Sequence, residues 1–87
     1  MAKRSLLTFP CPFSIKAFGR QDPDLEAIVL DLVRTHVPAL TAQDVSSKRS
    51  SNGRFVSLTI RITARSQAQL DAIYHDLSSH DAILMAL

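Results

Sequence analysis

The sequence has little cysteine, glycine or tryptophan: one, two and none of these among 87 residues. A single cysteine, Cys11, excludes an internal disulfide framework and suits a reducing cytosol. Two glycines, Gly19 and Gly53, are too few for a glycine-rich phosphate loop or a dinucleotide-binding fingerprint. No apolar run approaches the roughly 20 residues that a membrane-spanning helix needs, and prolines interrupt the faintly signal-like N-terminus. We therefore expect a cytoplasmic protein without a membrane segment.

The chain also lacks a strong charge imbalance and the length for a second domain. Ten basic residues against eight acidic ones give a net charge of +2 and a pI near 9.1. This mild excess permits nucleic-acid contact without arguing for it. A hydrophobic content of 46% is ordinary for a globular protein, and 87 residues suffice for one domain. The sequence predicts a loose arm over residues 1–10 and a single domain over residues 11–87.

The clearest structural pattern lies in residues 52–64, NGRFVSLTIRITA. Apolar side chains occupy every second position, which is the period of a strand with one dry face. The β-branched residues of this segment also suit a pleated sheet. The apolar set is Val56, Leu58, Ile60 and Ile62, and the other set is Phe55, Ser57, Thr59, Arg61 and Thr63. A sheet built on such a strand needs a cover over its apolar face.

Two amphipathic helices can provide that cover. The first is predicted over residues 23–37, where Asp22 can cap the first amides and Pro38 stops the helix. Its apolar stripe consists of Leu25, Ile28, Val29, Leu32 and Val33, at three- and four-residue spacing. The second helix begins with a capping box, in which Ser66 and Gln69 satisfy each other's end amides. Its stripe consists of Leu70, Ile73, Tyr74 and Leu77.

A hairpin supplies a partner for the alternating strand. The SSNG segment that precedes this strand is a hairpin signal, so residues 44–49 are predicted to form the partner strand. A four-residue turn would shift the strand partners but keep the same faces. A two-residue Asn52-Gly53 turn places Val45 opposite Ile60 on the apolar face. It also places Asp44 opposite Arg61 on the other face, an opposite-charge pair of the kind that stabilises sheets.

Two further strands complete the pattern. The first covers residues 13–18 and turns Phe13, Ile15 and Ala17 toward the helices. Gly19 ends this strand, in a backbone shape that a side chain would resist. The last strand covers residues 82–87, and because both of its faces are apolar the sequence leaves its register open.

The order of elements is therefore βαββαβ. Two right-handed helix crossovers of this kind place both helices on one face of a four-stranded antiparallel sheet. The predicted fold is α+β, a ferredoxin-like sandwich with strand order 4-1-3-2. The opposite face of the sheet is left open to solvent.

No catalytic or metal-binding constellation is recognisable in the sequence. The three histidines, His36, His75 and His80, form no close-spaced ligand pair. His36 is explained by a favourable interaction with the C-terminal end of the first helix. Cys11 lies between two prolines, where we expect a small half-buried side chain rather than an activated nucleophile. We expect no enzyme activity, no metal and no cofactor.

The open sheet face is the main candidate surface. It should carry Lys16, Phe18, Lys48, Phe55, Ser57, Thr59 and Arg61, with Lys48, Arg49 and Arg54 forming a basic cluster around the hairpin tip. Aromatic and basic side chains on such a sheet are how the RNA-recognition motif stacks bases, and GRFV at residues 53–56 is faintly similar to its signature. Only Phe55 of that segment falls on the strand. Single-stranded RNA binding through Phe18 and Phe55 is therefore one interpretation, beside a plain solvated face and an edge protected by charges.

Several segments follow one another at a specific spacing. They are FPCPF at residues 9–13, Gly19, VRTHVP at residues 33–38, SSNG at residues 50–53, VSLTI at residues 56–60 and the ending at residues 77–87. Together they resemble the YbeD-like family of small bacterial proteins of unknown function, over residues 6–87. The resemblance implies a ferredoxin-like fold similar to that of ACT-type regulatory domains, which bind amino acids and related small molecules. Genes of this family often lie near lipoate-attachment genes, which implies a link to lipoate metabolism.

The resemblance also implies a place for a ligand. ACT-type domains often bind ligand near the first strand-to-helix turn, here residues 18–23. This turn carries Gly19, Arg20 and Asp22 but not the usual Pro-Gly pair. No catalytic residues are established for the family, so the resemblance implies none here.

We therefore predict a non-enzymatic domain with a regulatory or protein-interaction role. Its partner is expected to be another protein or a small metabolite, with ACT-like sensing as the alternative and RNA binding as a third hypothesis. Nucleic acid and membrane are not the expected partners, and the chain is expected to be a monomer or an edge-strand homodimer. The candidate surface residues are Lys16, Phe18, Gly19, Arg20, Asp22, Lys48, Arg54, Phe55 and Arg61.

Overall fold

The computed structural model describes residues 8–87, which form four strands and two α-helices in the predicted order. The strands are β1 (Cys11–Arg20), β2 (Val45–Arg49), β3 (Phe55–Ala64) and β4 (Ile83–Ala86). The helices are α1 (Leu25–Arg34) and α2 (Gln67–Ser79), and a 3-10 turn at Ala42–Asp44 precedes β2. The antiparallel sheet has the order β2-β3-β1-β4, which confirms the predicted ferredoxin-like sandwich. Residues 1–7 of the predicted arm lie outside the described residues.

The alternation of β3 places the core where the sequence predicts it. The predicted apolar set of β3 is buried, and Ile60 is completely so. Ile60 lies between Ile15 on β1 and Val45 on β2, and both of these are buried as well. The helices bury Leu25, Val29 and Val33 from α1 and Leu70, Ile73 and Leu77 from α2. These residues form one core cluster with the apolar face of the sheet, which confirms that both helices cover that face.

The hairpin between β2 and β3 has the predicted register, with Val45 opposite Ile60. Gly53 has a φ of +74°, in the left-handed region that glycine adopts without a Cβ penalty. The side-chain oxygen of Asn52 accepts a hydrogen bond from the amide of Arg54 at 2.9 Å. The local chemistry of the turn therefore fixes the register, as asparagine and glycine do in many hairpins.

The prediction that Gly19 ends the first strand is wrong. β1 continues through Gly19 to Arg20, and the φ of Gly19 is not in the left-handed region. What this position requires is space. A Cβ atom on Gly19 would lie 2.7 Å from the carbonyl oxygen of Ala82 and 2.9 Å from a methyl carbon of Leu25. Glycine is therefore needed for close packing against the segment before β4, not for a turn.

The first helix is shorter than predicted at both ends. It begins at Leu25 rather than residue 23, and it ends at Arg34 rather than residue 37. The carboxylate of Asp22 accepts a hydrogen bond from the amide of Asp24 at 2.7 Å, in a turn that precedes the helix. Short polar side chains often hold a local turn in this way, in competition with helix formation. Within residues 8–87, neither helix has the length and apolarity needed to cross a bilayer.

Only one of the two hydrogen bonds of the predicted capping box forms at the start of α2. The hydroxyl oxygen of Ser66 accepts a hydrogen bond from the amide of Gln69 at 3.1 Å. The reciprocal bond, from the Ser66 amide to the Gln69 side chain, is absent. The side-chain oxygen of Gln69 instead accepts a hydrogen bond from the amide of Arg65 at 2.7 Å. Its side-chain nitrogen donates to the carbonyl of His36 at 3.0 Å. The His36 ring, predicted to interact with the end of α1, lies 2.6 Å from the carboxylate of Asp76. These contacts connect the segment after α1 to α2.

Candidate functional site

The open sheet face consists of the side chains that point away from α1 and α2. One row across all four strands contains Lys48, Ser57, Phe18 and Met85. In the next row Lys16 lies opposite Thr59, and its carbonyl accepts a hydrogen bond from the amide of Leu87 at 2.7 Å. On the other side of the first row, Phe55 lies opposite Arg20. The structure thus brings the predicted residues Lys16, Phe18, Arg20, Lys48 and Phe55 onto one surface.

A shallow groove of about 250 Å³ lies at the hairpin end of this face. It is lined by Phe18, Lys48, Arg49, Ser50, Phe55, Val56 and Ser57. Phe18 is half-buried, whereas 43% of the surface of Phe55 is exposed. The groove therefore combines two aromatic rings with two basic side chains, a mixture that suits a partner with both apolar and anionic groups.

Arg61 also lies on the open face, but its predicted pairing with Asp44 is wrong. The Arg61 guanidinium donates to the hydroxyl of Ser46 at 3.1 Å and to the carbonyl of Gln43 at 3.0 Å. Asp44 belongs to the 3-10 turn before β2, where its carboxylate accepts a hydrogen bond from the amide of Thr41 at 3.0 Å. Because the strand begins one residue later than predicted, no aspartate lies opposite Arg61.

The contribution of β4 and of the adjacent Leu87 to the open face is not evident from the sequence pattern. Met85 pairs with Phe18 at the centre of the face, and Leu87 lies beside Lys16. Leu84, Met85 and Leu87 expose 54%, 53% and 62% of their surfaces. Both faces of this strand are apolar, so alternation could not assign them. The signal available in the sequence was the presence of three large apolar residues in a short edge strand.

The first strand-to-helix turn forms a separate and smaller cavity of about 170 Å³. It is lined by Gln21, Asp22, Pro23, Leu25, Glu26, Ser47, Arg49, Val56 and Leu58. Gly19 is buried, while Arg20 is exposed and borders a depression shared with Arg54 and Phe55. Pockets for drug-sized ligands usually measure roughly 300–1,000 Å³. This cavity therefore suits at most a ligand of amino-acid size.

The remaining side chains that could support chemistry are engaged elsewhere. Within residues 8–87, no three His, Cys, Asp or Glu side chains converge as metal ligands would. The Nδ1 atom of His80 accepts a hydrogen bond from the amide of Ala82 at 3.0 Å, and the half-buried Cys11 packs against the core. Burial raises the pKa of the Tyr74 phenol above its ordinary value of 10.0, so this group stays protonated at neutral pH.

Comparisons with known proteins agree on a family and on a fold. Residues 4–87 match the family described as "Protein of unknown function (DUF493)". A UPF0250 protein of Neisseria meningitidis serogroup B is 39% identical over 85 residues, which are 98% of this chain and 93% of that protein. A UPF0250 protein of Nitrosomonas europaea is 36% identical over 87 residues, with both chains covered completely. The solution structure of protein HP0495 from H. pylori gives a TM-score of 0.73 over 99% of this chain and 90% of that one, at 15% identity, and shows the fold alone.

Proposed function

The chain belongs to the DUF493 family, the YbeD-like group of small proteins of unknown function, and we propose that it is a cytoplasmic, non-enzymatic regulatory or protein-interaction domain. The surface that binds the partner is the open sheet face. A screen in which the purified chain turned over any metabolite would contradict the non-enzymatic part of this proposal.

The observation that supports this function is the exposure of large apolar side chains on the open face. Phe55, Met85 and Leu87 each expose between 43% and 62% of their surfaces, and the pairing of β1 with β3 and β4 groups them around Phe18 and Lys16. Single exposed apolar residues are common, but a grouped set rimmed by polar residues usually marks an interaction surface. The hydroxyls of Ser57 and Thr59 lie between them and complete a mixed surface of the kind found in protein interfaces.

Photocrosslinking in living cells tests this function. A photoreactive phenylalanine analogue in place of Phe55 is expected to give a discrete adduct with another protein, because that side chain lies within the proposed interface. The same analogue in place of Ser78, exposed near the end of α2, is the matched control and should not give that adduct. Equal adducts from both positions, or none from Phe55, would contradict the proposal.

A second candidate function is an ACT-like small-molecule sensor. It is favoured by the cavity at the first strand-to-helix turn, where Asp22 and Arg49 offer opposite charges to a small zwitterion. A thermal-shift panel of amino acids and lipoyl compounds tests this function and also the implied link to lipoate metabolism. A ligand at about 100 times its dissociation constant should stabilise the fold by roughly 2.7 kcal/mol. An unchanged melting temperature across the panel would exclude both.

A further inference from the structure

The charges of the chain are divided between its two layers. The strands contain five basic residues and no aspartate or glutamate. The five are Lys16, Arg20, Lys48, Arg49 and Arg61. All eight acidic residues of the sequence lie in the helices and in the turns between elements. In a chain with a net charge of only +2, the charged residues of the strands are therefore all basic, and every acidic residue lies outside the strands.

The cations of the open face are not neutralised within the described chain. Among residues 8–87 the one contact between a basic side chain and a carboxylate joins His36 to Asp76, in the helical layer of the fold. Arg61 donates to a hydroxyl and a carbonyl, and both of these are neutral. The side chains of Lys16 and Lys48 are exposed. An anionic partner can therefore form ion pairs with this face without displacing an existing carboxylate.

The cations lie beside the exposed apolar residues. Lys48 lines the same groove as Phe18 and Phe55, and Lys16 lies next to Leu87 at the pairing of β1 with the C-terminal segment. A partner that covers the apolar side chains consequently brings its own flanking groups within reach of the ammonium groups. The partner must therefore present apolar and acidic side chains at short, regular spacing.

We propose that the open sheet face binds an acidic amphipathic helix of a partner protein. This inference rests on the proposed interaction function and names the chemistry of the partner. The apolar stripe of the helix covers Phe55, Met85 and Leu87, and carboxylates beside the stripe meet Lys16 and Lys48. The opposite face of the same sheet already receives α1 and α2 through apolar stripes, so a four-stranded layer of this kind suits a further helix.

Charge and side-chain type distinguish this partner from three others. A second copy that packed by its own open face would place cations against cations. Single-stranded RNA would need stacking platforms, but among residues 8–87 three of the four exposed large apolar side chains are the non-aromatic Leu84, Met85 and Leu87, and Phe18 is half-buried. An anionic membrane would have to bind the face of a sheet, whereas peripheral proteins usually bind membranes through an amphipathic helix or a lipid anchor.

The test is an NMR titration of the intact chain with a synthetic helical peptide that has a leucine stripe flanked by glutamates. We expect amide signals of the sheet around the open face, those of Lys48 on β2 included, to shift, and those of α1 to stay in place. Binding should weaken as salt is added, because exposed ion pairs are screened. A peptide of the same composition with the stripe scrambled, and one with lysine for each glutamate, should bind more weakly.

Charge reversal provides the matched comparison. Lys48→Glu should weaken binding of the acidic peptide by about tenfold or more, since it places like charges together. The double variant Ala27→Glu/Ala68→Glu lowers the net charge by the same two units, at exposed helix positions, and should leave the affinity unchanged. The double variant Lys16→Glu/Lys48→Glu should come to prefer the lysine peptide. Circular dichroism establishes that each variant is folded.

Three results would overturn this inference. They are an absence of shifts with the acidic peptide, shifts that Lys48→Glu leaves unaltered, and tighter binding of oligouridine or of vesicles containing phosphatidylglycerol. The last result would identify a nucleic acid or a lipid surface as the partner instead. If a protein crosslinks at Phe55 but the acidic peptide does not bind, the interaction function is supported and only the acidic helix is rejected as the partner.

Discussion

Replacing Ile60 with alanine is expected to lower the free energy of unfolding by about 2–5 kcal/mol. Ile60 has no exposed surface, and it lies on a central strand between Ile15 and Val45. Truncation removes apolar contacts and leaves a cavity that the surrounding sheet and helices fill only in part. Urea denaturation followed by circular dichroism measures the change. A domain of this size has a total stability of roughly 4–13 kcal/mol, so the loss is a large fraction of it.

The matched control for Ile60→Ala is Thr63→Ala, three positions along the same strand. Thr63 is exposed on the open face, so its truncation leaves no cavity and should cost less than about 1 kcal/mol. Similar losses for the two variants would contradict the assignment of the two faces. That assignment supports every conclusion drawn above about the candidate surface.

The elements that the sequence predicted well are those whose patterns depend on local geometry. Alternation in β3 specifies which residues are buried, because strand side chains point to opposite faces in turn. The Asn52-Gly53 turn specifies the hairpin register, because few residues adopt the backbone shape that Gly53 has. Ser66 caps α2 through an amide only three residues away. Each of these features is set by contacts close along the chain.

The features that the sequence did not predict depend on contacts between distant residues. Gln69 can bond the cap residue or the segment beyond α1, and only the packing of the two helices places the carbonyl of His36 within 3.0 Å of it. Asp44 can face Arg61 or close its own turn with Thr41, and the later start of β2 decides between them. Helix ends are similarly decided by competing local turns, as Asp22 illustrates.

Only part of the candidate surface could be predicted from the sequence, because the rest depends on contacts between distant residues. Lys16, Phe18, Lys48 and Phe55 follow from alternation in strands that have one apolar face. Met85 and Leu87 do not, because β4 is apolar on both faces and its pairing with β1 shifts register between Phe18 and Gly19. Met85 and Leu87 could therefore be assigned to the proposed interface only from the pairing of the strands.

Gly19→Ala is expected to destabilise the fold by about 1–3 kcal/mol, the usual cost of overpacking. In an extended strand with free space, the same substitution would stabilise by about 0.4–1 kcal/mol, because alanine loses less chain entropy on folding. The close approach of Ala82 reverses the sign. Its carbonyl oxygen would lie 2.7 Å from the new Cβ atom, and it belongs to the backbone, which cannot rotate away as a side chain can.

Thermal unfolding measures this effect, because each kcal/mol shifts the melting temperature by roughly 4–8 °C for a domain of this size. Gly53→Asn is the control, since asparagine tolerates the left-handed conformation and nothing lies within 4 Å of the position where its Cβ would be. We expect Gly53→Asn to cost less than Gly19→Ala. A Gly19→Ala variant that melted higher than the parent chain would contradict the close packing of β1 against the segment before β4.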